Sequence, residues 1–332
     1  MLLLSAIFLE FMHSYQELSS IFDAHFNRRH FPEEPNNLYD AAQYILGLGG
    51  KRVRPVAVLL GCEMFSDIND DALNVASAIE MFHNFSLIHD DIMDMAPLRR
   101  GQPTVHMKWG EATALLAGDV MFAQAYDYLT QIDMAYIKKI IQLFNKTSKE
   151  VCEGQQLDMD FENKAHVSLE EYLNMITLKT SVLLAASLQL GALLGGASAG
   201  NQDHLYEFGK KLGIAFQIQD DYLDSFGNPD KFGKQVGGDI LSNKKTFLLI
   251  HTLEVANADQ QKRLEKLLAT NDTDKVEQVK AIYKECGVDA WATELKQKYY
   301  DEAMVHLEDL ALVSSRKLEM RKLANYLLER DY

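Results

Sequence analysis

Between Pro103 and Pro229 the chain contains no proline. An interior proline breaks or kinks a helix, because it lacks an amide proton and its ring clashes with the preceding turn. This stretch can therefore run as long, uninterrupted helices, and apolar residues recur at helical spacing within it and upstream of it. From Asp71 to Asp94, Leu73, Ala76, Ile79, Phe82 (or His83) and Phe85 form one stripe, and apolar residues on much of the opposite face mark this helix for burial. Glu111 to Tyr128 has the same character, rich in Ala and Leu. Ser168 with Glu171 forms a capping-box pair ahead of Tyr172–Leu194, and Gly195-Gly196 supplies the stop. Asp203 to Asp224 aligns Leu205, Phe208, Leu212, Ala215, Ile218 and Tyr222. From Val255 to Tyr332 the chain is more charged and reads as outer amphipathic helices. No set of segments alternates as strands do. The expected fold class is all-α, a bundle of long antiparallel helices around a central cavity.

The 332 residues carry 47% apolar side chains, ample for a core, and no low-complexity run or linker divides them, so a single domain over 1–332 is expected. A net charge of −15 without a basic tail argues against nucleic acid or an anionic membrane surface as the main partner. Cys62, Cys152 and Cys286 lack disulfide or metal-site spacing, which suits a reducing, cytoplasmic location. The opening apolar stretch, Met1 to Phe11, contains Glu10, lacks a basic start and is too short to span a bilayer, so stable membrane insertion is not expected.

Two acidic clusters concentrate the chemistry. Asp90-Asp91-Ile92-Met93-Asp94 and Asp220-Asp221-Tyr222-Leu223-Asp224 both read DDxxD, and each closes an apolar helical segment. Their outer aspartates are four apart and share a helix face, where like charges repel. A helix C-terminus carries partial negative charge of its own. Positive charge must compensate, and hard divalent cations that prefer oxygen are natural candidates. Magnesium fits, because it takes one or two carboxylates together with waters and substrate phosphate oxygens.

The chain also supplies cations. Gly49-Gly50-Lys51-Arg52-Val53-Arg54-Pro55 is a compact basic loop, Arg99-Arg100-Gly101 follows the first cluster, and Lys234 and Lys244 follow the second. Lys179 sits inside an apolar helix, where a buried ammonium without a partner is costly. Singly, Lys234 and Lys244 read as surface lysines and His83 as a core histidine; the set as a whole points to phosphate. Unit charges ~4 Å apart at an effective dielectric near 20 interact by about 4 kcal/mol. Six bare carboxylates would therefore repel a diphosphate, whereas with metal they would hold it and draw charge from its bridging oxygen.

The ordered motifs GGKRVRP, EMFHNFSLIHDDIMDMAPLRRGQPTVH, GQQLDMD, LKT, FQIQDDYLD and GGDILSNKKT, from about Leu46 to Lys245, resemble those of trans-prenyl diphosphate synthases of the isoprenoid synthase family. The resemblance implies the isoprenoid synthase bundle, usually as a homodimer, and a magnesium-dependent prenyltransferase with three ions when substrate is bound. Asp90, Asp94 and Asp220 would bind metal directly, with Asp91, Asp221 and Asp224 in support. Arg99, Lys179 and Lys234 would grip the allylic diphosphate, with Lys244 nearby. Lys51, Arg54, His83 and Arg100 would hold isopentenyl diphosphate. Thr180 and Gln217 would lie beside the developing cation, Gln155 and Asp158 outside the first metals, and Asp239 beside the third. The implied reaction is ionisation, condensation and elimination, with apolar walls keeping water from the cation.

Phe85 lies five residues before Asp90, a rise of ~7.5 Å along a helix, within reach of a growing isoprenoid tail. In the family, an aromatic there with the short DDxxD spacing resembles geranylgeranyl diphosphate synthases. Ser86 departs from the paired aromatics of animal-type farnesyl diphosphate synthases, and long-chain polyprenyl synthases place a small residue at the Phe85 position. Twenty carbons is the expected product, fifteen the next; Phe82 or Met81 is the alternative depth gauge. A class I terpene cyclase would normally carry a different second metal motif and lack GGKRVRP. A non-catalytic synthase subunit would usually have lost one acidic motif.

Overall fold

A computed structural model describes residues 12–227, 237–270 and 272–328. The described chain is helical almost throughout, as the proline-free run and the apolar stripes require. In order come α1 (Tyr15–Phe26), α2 (Asn36–Gly47), α3 (Val53–Glu63), α4 (Asp70–Met93), the strands β1 (Leu98–Arg99) and β2 (Gln102–Pro103), α5 (Val105–Trp109), α6 (Glu111–Leu129), α7 (Met134–Asn163), α8 (Leu169–Ile176), a π-helical turn (Thr177–Ser181), α9 (Val182–Leu194) and α10 (Ala199–Phe226). Shorter helices follow at Gly238–Leu241, Phe247–Val255, Ala258–Leu268 and Lys275–Glu285, then Val288–Glu308 and Ser314–Leu328. The all-α expectation holds, with one two-residue hairpin added.

The residues group into two compact units. One runs up to Asp133 and includes Gly191–Ala197 and Ala311–Arg321; the other holds Met134–Leu190, Ser198–Leu310 and the chain from Lys322 on.

In the first unit α4 is the central element. Asn69 caps it by accepting the Ala72 amide at 2.9 Å, and Asp70 and Asp71 sit in the first turn, where carboxylates complement the helix dipole. Ala76, Met81 and Phe82 are fully enclosed, packed among α3 and α6. Burying a side chain such as Phe82 contributes roughly 1.5–3 kcal/mol. The helix stops where Met95 turns to φ +49° and the Ala96 amide reaches back to the Asp91 carbonyl at 2.9 Å. The β1–β2 turn follows, with Arg100 at φ +52° and Gly101 at +74°. Two positive φ values in a two-residue loop suit the twist of a tight hairpin.

In the second unit α10 plays the same part. Ser198 caps it, and Gly227 ends it by donating to the Leu223 carbonyl at 2.8 Å. Helix Val288–Glu308 lies along α10. A core containing Tyr172, Ile218, Phe247, Ile282 and Val288 lies beneath its last turns. The Ser168–Glu171 capping box is formed as expected. The long helix it opens, Leu169–Leu194, is interrupted by the π-turn that sequence patterning did not show. By length and composition this helix is apolar enough to cross a membrane, yet 72% of its most apolar window is buried inside the protein.

Candidate active site

Each acidic cluster ends a long helix, and each is furnished by its own unit. At the end of α4, Asp91 is 2% exposed. Arg99, delivered from β1, grips it in a fork: Nε lies 2.8 Å from Oδ2 and Nη2 2.7 Å from Oδ1. Arg99 Nη2 also stands 3.8 Å from Asp90 Oδ2. Burial by itself would lower the Arg99 pKa; the bond to Asp91 and its charge outweigh burial and raise it. Asp90 is half-buried and Asp94 exposed.

The basic loop is built onto the same unit. Arg52 takes φ +50° at the start of α3 and turns its guanidinium inward to Glu80 Oε1 and to Asp23 Oδ1, the latter at 3.2 Å. That pair anchors the loop. Lys51 is exposed. Arg54 donates to His83 Nε2 at 3.2 Å. Burial lowers the Arg54 pKa to about 10. His83 is pushed well below its ordinary value by burial and then by the charges of Arg54, Arg100, Arg99 and Arg52. It is therefore a neutral ring whose Nε2 accepts from Arg54. Arg100 donates to the Gly49 carbonyl. A Cβ on Gly50 would lie 2.9 Å from Arg100 Nη2, so the second glycine of the motif lets the hairpin arginine close on the loop.

Behind Asp90, Phe85 is half-buried, whereas Met81 and Phe82 are fully buried in the core. Ser86 Oγ donates to the His83 carbonyl. The Phe85 ring stacks on Phe122 of α6 at 5.0 Å with an interplanar angle of 17°, and His89 closes on its edge at 4.7 Å. Phe122 escaped the sequence reading. Its only signal was an aromatic residue in an Ala- and Leu-rich helix, and nothing local says which helix it faces.

In the second unit, Asp221 is buried and held by neutral donors: Tyr172 OH donates to Oδ2 at 2.5 Å, and Gln217 Nε2 to Oδ1 at 2.8 Å. Thr180 Oγ1 donates to Gln217 Oε1 at 3.1 Å, so the LKT and FQIQDD motifs meet. Asp224 Oδ2 accepts the Asp239 amide at 2.9 Å. Asp158 stands between two lysines, 2.5 Å from Lys179 Nζ and 3.7 Å from Lys244 Nζ. Burial would raise the Asp158 pKa, but Lys244 and Lys179 together lower it. The GQQLD aspartate is thus the common counter-ion of both lysines. Gln155 lies one turn earlier on α7, half-buried. Lys245 Nζ donates to the Phe161 and Glu162 carbonyls, which caps α7 and holds the segment that presents Asp239. Lys234 lies outside the described residues.

Asp221 and Asp239 both have raised pKa values, first because they are buried and then because acid crowds acid; Lys244 offsets only part of this. The buried Asp221 itself, among the described residues, is bonded by neutral donors. Among the described residues, no three His, Cys, Asp or Glu side chains gather closely enough to hold an ion alone. The donor set is all carboxylate oxygen, which fits a hard cation bound partly by substrate oxygens.

The polyprenyl synthetase family matches residues 35–286, more than half of the chain. The chain is 38% identical over 303 residues to a geranylgeranyl diphosphate synthase of Methanosarcina mazei, covering 90% of this chain and 91% of the relative. It is also 38% identical over 299 residues to a short chain isoprenyl diphosphate synthase of Methanothermobacter thermautotrophicus, covering 90% and 92%. A crystal structure of a geranylgeranyl pyrophosphate synthase superposes with a TM-score of 0.92 at 42% identity, over 96% of this chain and 99% of that one. With acidic helix ends, basic loop and π-turn lysine all in their motifs, the chain belongs to the polyprenyl synthetase family and is a trans-prenyltransferase.

Proposed function

We propose that this enzyme condenses isopentenyl diphosphate with an allylic diphosphate and stops at geranylgeranyl diphosphate, using magnesium. The observation that carries the reading is that each unit pairs its motif acids with cations from a separate element: Arg99 on Asp91 in the first, and Lys179 with Lys244 on Asp158 of α7 in the second, where Thr180, next to that first lysine, reaches Gln217 and through it Asp221 of the acidic end. Such pairs hold long basic side chains in place until a diphosphate supplies the competing oxygens.

Asp90, Asp94 and Asp220 would hold the metal, with Asp91, Asp221 and Asp224 behind them; three ions suit the charge of two diphosphates. When bound, magnesium draws charge from the bridging oxygen of the allylic diphosphate and eases its departure. Arg99, Lys179 and Lys244 steady that diphosphate, with Lys234 assigned to the same task by its motif. Lys51, Arg54 and Arg100 bind the second diphosphate. Neutral His83, with its Nε2 engaged by Arg54, orients that guanidinium without adding charge. Thr180 and Gln217 present fixed dipoles to the developing cation, where preorganised dipoles count most. The isopentenyl double bond attacks, and the departing diphosphate takes the proton. The stacked pair Phe85–Phe122 supports a floor that sets chain length.

A homodimer is expected, supported by the exposed Leu115 (49%) and Leu116 (56%) side by side on α6; light scattering after gel filtration tests it. A cytoplasmic location without membrane insertion fits three free cysteines. Incubation with magnesium, isopentenyl diphosphate and each allylic starter, followed by product sizing, tests the whole reading. Twenty-carbon product is expected; fifteen or more than twenty carbons would revise the length alone. A chain that ionises allylic diphosphate without consuming isopentenyl diphosphate would be a cyclase, and one active only with a partner chain would be a synthase subunit.

A further inference from the structure

The π-turn at Thr177–Ser181 is the least regular piece of the long helix, and it carries both Lys179 and Thr180. Its Val182 amide bonds the Thr177 carbonyl five residues back. Turns of this width are rare, lie over-represented at functional sites and need support from their surroundings. Here the support is specific. Against one side lies α7, so close that a Cβ on Gly154 would stand 2.2 Å from the Lys179 amide nitrogen, 2.6 Å from its Cα and 2.7 Å from the Leu178 carbonyl carbon. Against the other lies α10, where a Cβ on Gly213 would stand 2.7 Å from Ser181 Cα and 2.8 Å from its Cβ. The obstacles at Gly154 are all backbone, and those at Gly213 are Ser181 Cα, its Cβ and its Oγ at 2.9 Å, of which a rotamer change moves only the Oγ.

The two contacts follow one design. Gly154 and Asp158 are four apart on α7, and Gly213 and Gln217 are four apart on α10; residues at that spacing share a helix face. On each flanking helix the glycine admits the π-turn backbone, and the polar side chain one turn later reaches a side chain of that turn. Asp158 takes Lys179 Nζ at 2.5 Å and Gln217 takes Thr180 Oγ1 at 3.1 Å. Gln217 continues to Asp221 at 2.8 Å. Ordinary van der Waals separation at Gly154 would need α7 to retreat by more than an ångström. A shift of that size carries Asp158 away from Lys179, and displacements near 1 Å can cost about a hundredfold in rate.

We propose that Gly154 and Gly213 form a two-sided cradle for the π-turn and are positioning residues that set Lys179 and Thr180 for the allylic substrate. The inference rests on the prenyltransfer reading. Gly154→Ala and Gly213→Ala test it, with Gly209→Ala as control: a Cβ on Gly209 would meet Ala185 Cα at 2.8 Å, an equally close approach of α10 but to α9, one turn away from the π-turn. Both cradle variants should raise the allylic KM at least tenfold and weaken binding of an allylic thiodiphosphate, which ionises poorly, by a similar factor. The KM for isopentenyl diphosphate should stay within twofold. Gly209→Ala should lower Tm and leave both KM values alone. Cradle variants that behave like the control, or that raise both KM values equally, overturn the proposal. Hydrogen exchange on the wild-type chain needs no variant: without ligand, the Val182 amide should be as protected as the amides of α9. Exchange tenfold faster there would show an unsupported turn and overturn the cradle. Failure of the wild type to consume isopentenyl diphosphate would instead strike the prenyltransfer reading.

Discussion

The ends of α4 and α10 carry the same five-residue pattern and satisfy it in opposite ways. Asp91 and Asp221 are both the second aspartate of DDxxD and both buried. Asp91 faces the forked guanidinium of Arg99. Asp221 faces a phenol and a carboxamide, and burial with a neighbouring acid raises its pKa. A motif therefore specifies donor atoms but not their electrostatic setting. At the first end one guanidinium compensates the buried acid. At the second, among the described residues, the buried acid has neutral donors and a raised pKa, so a cation arriving with substrate relieves it more.

The largest effect should come from the outer acids. Asp90→Ala or Asp220→Ala is expected to lower kcat by about a thousandfold, roughly 4 kcal/mol of barrier, with the circular dichroism spectrum unchanged. If the asymmetry matters, added magnesium will protect wild type from thermal unfolding more than it protects Asp220→Ala, while Asp90→Ala keeps more of that protection. Near-wild-type rates in either variant would contradict the site assignment.

Next in size are the partners of the middle acids. Arg99→Met strands a buried carboxylate and should cost about 3–5 kcal/mol of unfolding free energy. Tyr172→Phe removes one hydrogen bond to Asp221 and should cost about 1.5–3 kcal/mol. Equal losses by denaturant titration would erase the contrast between the two ends.

A pH series sharpens the same contrast. An acid whose folded pKa is raised holds its proton more tightly folded than unfolded. Its penalty is absent below the ordinary carboxylate range of about 4, sets in as pH rises above it, and is complete once pH exceeds the raised value. In metal-free protein Asp221 and Asp239 therefore take stability away between about pH 4 and neutrality, while the neutral rings of His83 and His30, whose pKa values burial lowers, add it over much of the same range. Asp221→Asn should remove one downward contribution, turning the slope of Tm against pH more positive than in wild type. An unchanged slope would remove Asp221 as a contributor.

The smallest change in rate, though visible in product, concerns the floor. Phe85→Ala and Phe122→Ala should each shift the main product up by about one five-carbon unit with kcat changed less than about threefold, and the double variant should go no further than the sum. Product profiles by chromatography decide; an unchanged Phe122→Ala profile would remove the α6 ring from the floor.

Helix positions were legible wherever local patterning sufficed. Asn69 and Ser168 have short polar side chains that cap by reaching their own next turn, and the stripes of α4, α6 and α10 require only an apolar neighbour. The acids and bases were legible as well, because charges in apolar helices need compensation. The hairpin that delivers Arg99 was not legible: two-residue strands are too short to show alternation. Phe122 was not, because stacking depends on how α6 is rotated against α4. Nor was the role of Asp158, which became clear only once Lys179 and Lys244 stood on either side of it.

By itself, then, the sequence determined the all-α class, the helix ends and the inventory of carboxylates, guanidiniums and ammoniums, since propensity, capping and charge act within a turn or two of the chain. Tertiary structure alone decided which acid received a cation and which received neutral donors, and where a helix widened into a π-turn. Those outcomes depend on close approach between segments distant in sequence, such as Gly154 with Lys179 and Tyr172 with Asp221, and no local pattern encodes a distance between two helices.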